Sequence, residues 1–381
     1  MMIINRQFLL SLVLAGLVTV PVNASDRSAW SLFPAADTEA DKPDVELVGY
    51  NKKAPPLPSS TQRKTQDGRE LCSPATGCRP ALHQHGSGVF AEALFLRPGN
   101  VDVVYATEQT SSDPTLASPT GPVGRTNIDH GSGFRIGAGW ALQADASVVG
   151  TYTWLESDTE DTITAVPGNV LNLDIGHPSV DTSGDASLGA AARYDLDFQL
   201  VDLDYRALLG GNRDGALNYT VGLRYAHLAQ DYSASQEIFA GGGLTTASSG
   251  IDFDGFGIRF GLDGMKRRAG TGLLLYANGH ANFVAGEFKA NFTQSNQFGG
   301  TAVIRNDLED YRIVTILDTE LGIGWENATG CFRVTSGYLI SGWFNTLSTS
   351  SYIDGVQAGS YGDLSETLTF DGLVSRIEWR Y

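Results

Sequence analysis

The sequence predicts an all-β fold, a closed antiparallel transmembrane β-barrel of about 10 strands, or roughly 8 to 12 within boundary error. Three observations predict it. Ten apolar-alternating segments run from Val89 to the last residue, with long polar connections and short turns taking turns between them. The chain stops on Trp379-Arg380-Tyr381, an aromatic end. Charged residues make up 18% of the 381, below the roughly 25% of an average soluble protein, yet only one run is apolar enough to suggest a membrane helix.

A bilayer offers no water to backbone amides, so strands cross it only if every neighbour is paired and the sheet closes. Each tilted strand then needs about 9 to 11 residues, apolar toward lipid and small or polar toward the lumen. Segment 133–142 has this form: Phe134, Ile136, Ala138, Trp140 and Leu142 share one parity, and Arg135, Gly137, Gly139 and Ala141 the other.

The long apolar run, Phe8 to Val20, follows Arg6 and precedes Val22-Asn23-Ala24, a small-residue site before Ser25. This is the pattern of a secretory signal peptide, residues 1–24. An uncleaved anchor is the alternative, but the run is short against the roughly 20 residues of a membrane helix. Cleavage removes one Arg and no acid, so the formal charge moves from -17 to 25 minus 43, or -18. Such an acidic product is a poor partner for nucleic acid, whose phosphates repel it.

Residues 25–87 lack periodicity and include Pro55-Pro56-Leu57-Pro58-Ser59-Ser60, as expected of a disordered periplasmic leader. Its Lys52, Lys53, Arg63, Lys64 and Arg69 read as a solvated linker, with an acidic envelope partner as the alternative. Cys72 and Cys78 suggest a small-loop disulfide formed in an oxidising compartment. A metal site lacks a second ligand pair, although His83 and His85 are near, and Cys331 reads as a small apolar residue opening a strand.

The barrel itself, residues 88–381, is read strand by strand. Strand one spans about 89–97 and strand two 133–142, joined by a long loop rich in Ser, Thr, Pro and Gly. Strand three, 144–155, sets Ala146, Val148, Tyr152 and Trp154 against Asp145, Ser147, Thr151 and Thr153. A second long loop, 156–188, carries acids and no Lys or Arg. Strand four, 189–209, changes parity: Tyr194, Leu196, Phe198 and Leu200 are even, whereas Val201, Leu203 and Tyr205 are odd. A β-bulge near Leu200 is the expected repair.

Gly210 to Gly215 turns the chain into strand five, where Leu217, Tyr219, Val221, Leu223 and Tyr225 alternate with Asn218, Thr220, Gly222 and Arg224. Strand six opposes Phe256, Ile258, Phe260 and Leu262 to Gly257, Arg259, Gly261 and Asp263, and strand seven, 271–288, is the least regular. Strand eight sets Tyr311, Ile313, Leu317, Leu321, Ile323 and Trp325 against Arg312, Asp318, Glu320 and Glu326. Strand nine covers 331–345, and strand ten ends the chain with Leu373, Ile377, Trp379 and Tyr381 outward. Long connections follow odd strands and are extracellular by the usual rule, which leaves the short turns and both barrel ends periplasmic. A C-terminal aromatic strand also suits the assembly machinery of the outer membrane.

The segments Gly86 to Gly99, Gly222-Leu-Arg-Tyr-Ala-His, Gly255-Phe-Gly-Ile-Arg-Phe-Gly-Leu, Ser336-Gly-Tyr and Phe370-Asp-Gly-Leu, in that order, resemble the Legionella-type pore-forming outer-membrane proteins over about residues 86–381. The resemblance implies a pore-forming barrel in the outer membrane. It carries over no catalytic residue and excludes the leader.

Arg135, Arg224, Arg259, Arg312, Arg333 and Arg376 fall on lumen parity, as do Asp145, Asp263, Asp318, Glu320, Glu326 and Glu378. Unpaired charge in a narrow lumen is costly, so salt bridges are expected, either as a solute-selecting constriction or as a structural ladder. About ten strands lies near the closed end of the barrel range, which disfavours a wide porin. Inward Gly137, Gly139, Gly222, Gly257, Gly261, Gly322 and Gly324 leave room for a narrow pore. Trp140, Trp154, Tyr219, Tyr225, Tyr311, Trp325, Trp379 and Tyr381 read as aromatic girdles at headgroup depth.

The pairs Asp202 with Asp204, Asp252 with Asp254 and His227 with Asp231 share faces, but no nucleophile motif accompanies them. The expected function is a narrow passive pore for small solutes or ions, touching outer-membrane lipid and the assembly machinery, with no enzyme activity, cofactor or metal. A non-conducting structural or adhesive barrel displaying acidic loops is the alternative, and an outer-membrane hydrolase a third.

Overall fold

The computed structural model describes residues 80–113, 115–180, 187–238, 243–295 and 302–381. The expected signal peptide, the leader to residue 79, Cys72 and Cys78 lie outside them. In chain order the elements are β1 (Gly88–Gly99), β2 (Val103–Gln109), β3 (Pro119–Thr126), β4 (Gly131–Gln143), β5 (Ala146–Thr164), β6 (Val170–Leu173) and β7 (Ser187–Asn212). They continue with β8 (Gly215–Ile238), β9 (Gly243–Arg267), β10 (Leu273–Ser295), β11 (Ala302–Glu326), β12 (Phe332–Thr346), α1 (Thr349–Ala358) and β13 (Glu366–Arg380).

Ten of these strands close an antiparallel ring in the order β1, β4, β5, β7, β8, β9, β10, β11, β12, β13 and back to β1. Closure satisfies the backbone of both would-be edge strands, as a membrane requires. All ten coincide with segments read from the sequence. Four short turns and both ends of the ring gather at one end, here the short-turn end. At the other, long-loop end, β2, β3 and β6 form a flap joined to β7 through the pairing of Leu171 with Ser187. Two of the long connections prove to be strand: β8 to β11 run 24, 25, 23 and 25 residues, more than twice the roughly 10 that a bilayer needs.

The parity change in β7 has a different cause from the one expected. Pairing to β5 and β8 passes through Leu200 without a shift; shifts occur only near the strand ends, at Ser187/Gly189 and Leu208/Gly210. Val201, Leu203 and Tyr205 are exposed on the outer face, whereas Tyr194, Leu196, Phe198 and Leu200 are buried inside. The strand keeps its register and its surroundings change: apolar side chains face lipid within the bilayer and turn to the interior beyond it. Neighbouring strands invert at the same level, with Tyr225 out and Leu228 in on β8, Phe256 out and Phe253 in on β9, and Phe283 out and Phe288 in on β10.

The long-loop end is therefore filled with a hydrophobic core. α1 inserts there, its Tyr352, Ile353 and Val356 buried on one stripe at helical spacing. Each contributes roughly 1.5–3 kcal/mol by leaving water. The helix starts because the Ser348 hydroxyl accepts the Ser351 N–H at 3.2 Å, and it stops because Gly359 adopts φ 61°.

Residues 80–87, which the sequence assigns to the leader, are ordered as a strap over the short-turn end. Leu82 N–H donates to Arg213 O at 3.0 Å, His85 N–H to Ala144 O at 2.7 Å, and Leu82 packs on Ala216 and Leu274. Nearby, Cys331 is disulfide-bonded. Cys72 and Cys78, and with them the bridge expected between them, lie outside the described residues. Cys331 is thus a disulfide cysteine rather than a plain apolar strand opener. Beside it, Pro80 sits against Gly330 in the β11–β12 turn.

Candidate functional site

The site is the lumen between the strap and the apolar core. Alternation places Glu92 of β1, Arg135 of β4, Asp202 and Asp204 of β7, Arg224 of β8, Arg259 of β9, Asp318 and Glu320 of β11, and Arg376 and Glu378 of β13 on the inner face. Together they line a cavity of about 200 Å³ whose floor is Leu82, Gln84, His85 and Gly86 of the strap.

Arg224 is the centre of one cluster. Its Nε and Nη2 donate to Asp202 at 2.6 and 2.8 Å, and its Nη1 donates to Asp318 at 2.9 Å. Two strands, β9 and β10, lie between β8 and β11 in the ring, so this guanidinium spans the lumen rather than a ladder rung. Arg259 adds Asp204 at 3.2 Å and the Asn282 side-chain carbonyl at 2.9 Å. On the facing wall Arg135 meets Glu92 at 2.7 Å and approaches Glu320 at 4.0 Å. Arg376 reaches Glu92 at 3.3 Å while lying 3.5 Å over the Phe90 ring. Below it, Glu378 lies 2.6 Å from Arg380 and 3.5 Å from Arg333, and Glu326 joins Arg333 at 2.6 Å to Arg267 at 2.7 Å. Buried charge is tolerated here because every acid has a cationic partner.

Directly above, three rings close the lumen. Phe198 of β7, Trp343 of β12 and Phe370 of β13 meet with centroids 4.9 to 5.8 Å apart. This seal rests on the charges: Trp343 Nε1 donates to Ser341 Oγ at 3.1 Å, and Ser341 Oγ donates to Asp318 at 2.6 Å.

The lumen residues read from the sequence fall mostly into place, with two corrections. Asp145 lies exposed in the β4–β5 turn, not in the lumen, because parity was carried one residue past the strand. Arg312 faces inward but above the seal, where it donates to Asp310 at 2.7 Å and to Leu364 O at 3.1 Å and so anchors the segment after α1. The inward glycines leave less room than their parity suggests: the Phe90 ring fills the space at Gly137, Tyr276 that at Gly322 and His280 that at Gly261. Glu92, Arg206, Arg267 and His280 were missed, although Arg206 follows Asp202 and Asp204 on the same parity. The eight girdle aromatics all stand on the outer face, with Trp140, Tyr219, Trp325, Trp379 and Tyr381 toward the short-turn end and Trp154, Tyr225 and Tyr311 at the opposite margin.

Outside the apolar band, burial lowers the pKa of His85 from its ordinary 6.5, helped by Arg206 and Arg380 against an Asn218 hydrogen bond and Asp145. On the outer wall of β7 and β8, burial raises Asp197, and burial with nearby Asp252 and Asp195 raises Asp231. His227 Nδ1 lies 3.1 Å from Asp254 on the same wall.

Residues 82–381 match the family described as Legionella pneumophila major outer membrane protein precursor. The chain belongs to this family. It is an outer-membrane β-barrel protein. Among solved structures, the outer membrane protease OmpT from Escherichia coli is similar at 11% identity and a TM-score of 0.42, over 77% of this chain and 97% of that one. No curated protein matches the chain in sequence.

Proposed function

We propose that the protein is a narrow pore for small solutes or ions, shut at rest by the seal at its long-loop end. The observation that carries this reading is the charge-lined cavity of about 200 Å³ between strap and seal, space that a solid structural barrel would fill with side chains. In this reading the short-turn end is periplasmic, the outer band contacts outer-membrane lipid, and the last strand, ending Trp379-Arg380-Tyr381, is offered to the assembly machinery.

The reading includes no catalysis. Asp202 and Asp204 are committed to Arg224 and Arg259, and Asp252, Asp254 and His227 stand on the outer wall without a nucleophile. A second reading, a non-conducting barrel that displays its loops, is favoured by the seal itself. An ion crossing an apolar layer that dry loses its hydration without replacement.

Planar-bilayer recording of the mature protein, folded as judged by heat-dependent gel migration, separates the two. The pore reading expects rare openings of the native chain and frequent discrete steps from Phe198→Ala with Trp343→Ala. Silence from both folded proteins would refute it and leave the loops as the functional surface.

A further inference from the structure

We infer that the outer surface at the short-turn end carries a site for an anionic phospholipid of the adjacent leaflet, built by Lys266 and Arg268 where β9 turns into β10. Strand alternation makes the pair. Arg267 points inward and is fixed there by Glu326 at 2.7 Å and Asp214 at 3.2 Å, so Lys266 and Arg268 on either side of it point out. Arg268 N–H still donates to Leu273 O at 2.8 Å, which carries the alternation one residue past the strand. Both side chains are exposed, and among the described residues neither has an acidic partner. The chain has a net charge of -17, and at its other end Arg125, Arg193 and Lys289 each lie against a carboxylate. Two neighbouring cations left without one present a positive spot to whatever lies outside the barrel.

The surroundings of the pair define its occupant. Lys266 pairs with Leu275 on β10 and with Gly215 on β8, and Gly264 precedes it on the same face. The two glycines leave the β8 flank of the lysine open. On the β10 flank Leu273 and Leu275 are exposed, and the girdle residue Trp325 is the β11 neighbour of Leu273. The result is an open notch of about 310 Å³ lined by Lys266, Arg267, Arg268, Leu273, Leu274 and Leu275. Cations at the rim, leucines beside them and an indole at headgroup depth repeat the order of a phospholipid, an anionic phosphodiester above acyl chains. A soluble phosphate would meet the cations and leave the leucines uncovered. The Arg267 ion pairs already fix the backbone between the two cations, so binding has only their side chains to order.

The site is independent of conduction. Full-length protein, folded as judged by gel migration, is taken from micelles holding equal amounts of phosphatidylglycerol and phosphatidylcholine with the same acyl chains, and retained lipid is counted by native mass spectrometry. A cation beside an anionic headgroup is worth about fivefold in affinity, so the parent should favour phosphatidylglycerol roughly 25-fold, Lys266→Gln roughly fivefold, and Lys266→Gln with Arg268→Gln not at all. Arg125→Gln with Lys289→Gln removes the same charge at the long-loop end and should keep the parent's preference. Equal retention of the two lipids by the parent overturns the site, as does a preference that survives Lys266→Gln with Arg268→Gln. A preference abolished by excess inorganic phosphate would mark a soluble-anion site and overturn the lipid assignment.

Discussion

Replacing Arg224 by Met tests whether the lumen is held by its ion cluster. The guanidinium makes three hydrogen bonds to two carboxylates, and both Arg224 and Asp202 are nearly fully buried. Removing it leaves Asp202 and Asp318 with Arg259 at 3.8 and 3.6 Å as their nearest cation. One partner taken from a buried pair costs about 3–5 kcal/mol, because the remaining charge keeps its desolvation penalty. The loss should therefore be of that order, read from urea titration in lipid vesicles with tryptophan fluorescence as probe. Adding Asp202→Asn and Asp318→Asn to Arg224→Met removes the stranded charges and should recover most of the loss, leaving a deficit of about 1 kcal/mol. A single-variant loss below about 1 kcal/mol, or no recovery in the triple variant, would show that the cluster is not what holds these strands.

Three further outcomes follow from the same geometry. Leu317→Arg, midway along the lipid-facing band of β11, should cost about 2–4 kcal/mol in vesicle unfolding, whereas Asp307→Arg, on the same face beyond the band, should stay within about 0.5 kcal/mol; equal effects would misplace the membrane. Gly257→Ala should destabilise by about 1–3 kcal/mol, since a Cβ there collides with the Phe283 carbonyl, and native stability of the variant would contradict the close strand contact. Acid should loosen the strap. His85 has its pKa lowered in the folded chain, so the unfolded chain binds more protons as pH falls below 6.5; the strap is fully stabilised above that pH and weakens on descent toward the lowered value. Labelling of Val149→Cys, a cavity-wall position on β5, by a polar maleimide should accelerate from pH 7.5 to pH 5 and lose that dependence in His85→Ala; a flat profile in the parent removes His85 from what anchors the strap.

The ring was legible because a bilayer imposes one rule on all ten strands: the outward sides of 134–142, 217–225 and 256–262 obey it residue by residue, and that of 311–325 departs from it only at Thr315 and Thr319. What the sequence concealed follows from where that rule stops. Beyond the band the interior becomes the dry side, so Tyr194, Leu196, Phe198 and Leu200 looked like an error of register when they were the start of the core. β2, β3 and β6 are short, and α1 carries Gly355 within a weak apolar stripe, so both depend on burial that no local pattern announces. Parity told which charges face the lumen but not which meet across it. That Arg224 on β8 finds Asp318 on β11 is fixed by ring closure alone.

The same closure constrains how any solute could pass. A ring whose pairings shift register only near strand ends cannot dilate without breaking backbone hydrogen bonds that lipid will not replace. A passage must instead be made by moving what lies inside it. The Trp343–Ser341–Asp318 chain makes that movement costly to both layers at once, since turning the indole away frees Ser341 to reorient at the cluster's central acid. In the proposed pore seal and charges are therefore one device, and a variant that unseats Trp343 should shift ion selectivity along with open probability. Selectivity unchanged in a channel opened by Trp343→Ala would separate the two layers and leave the charges as scaffold.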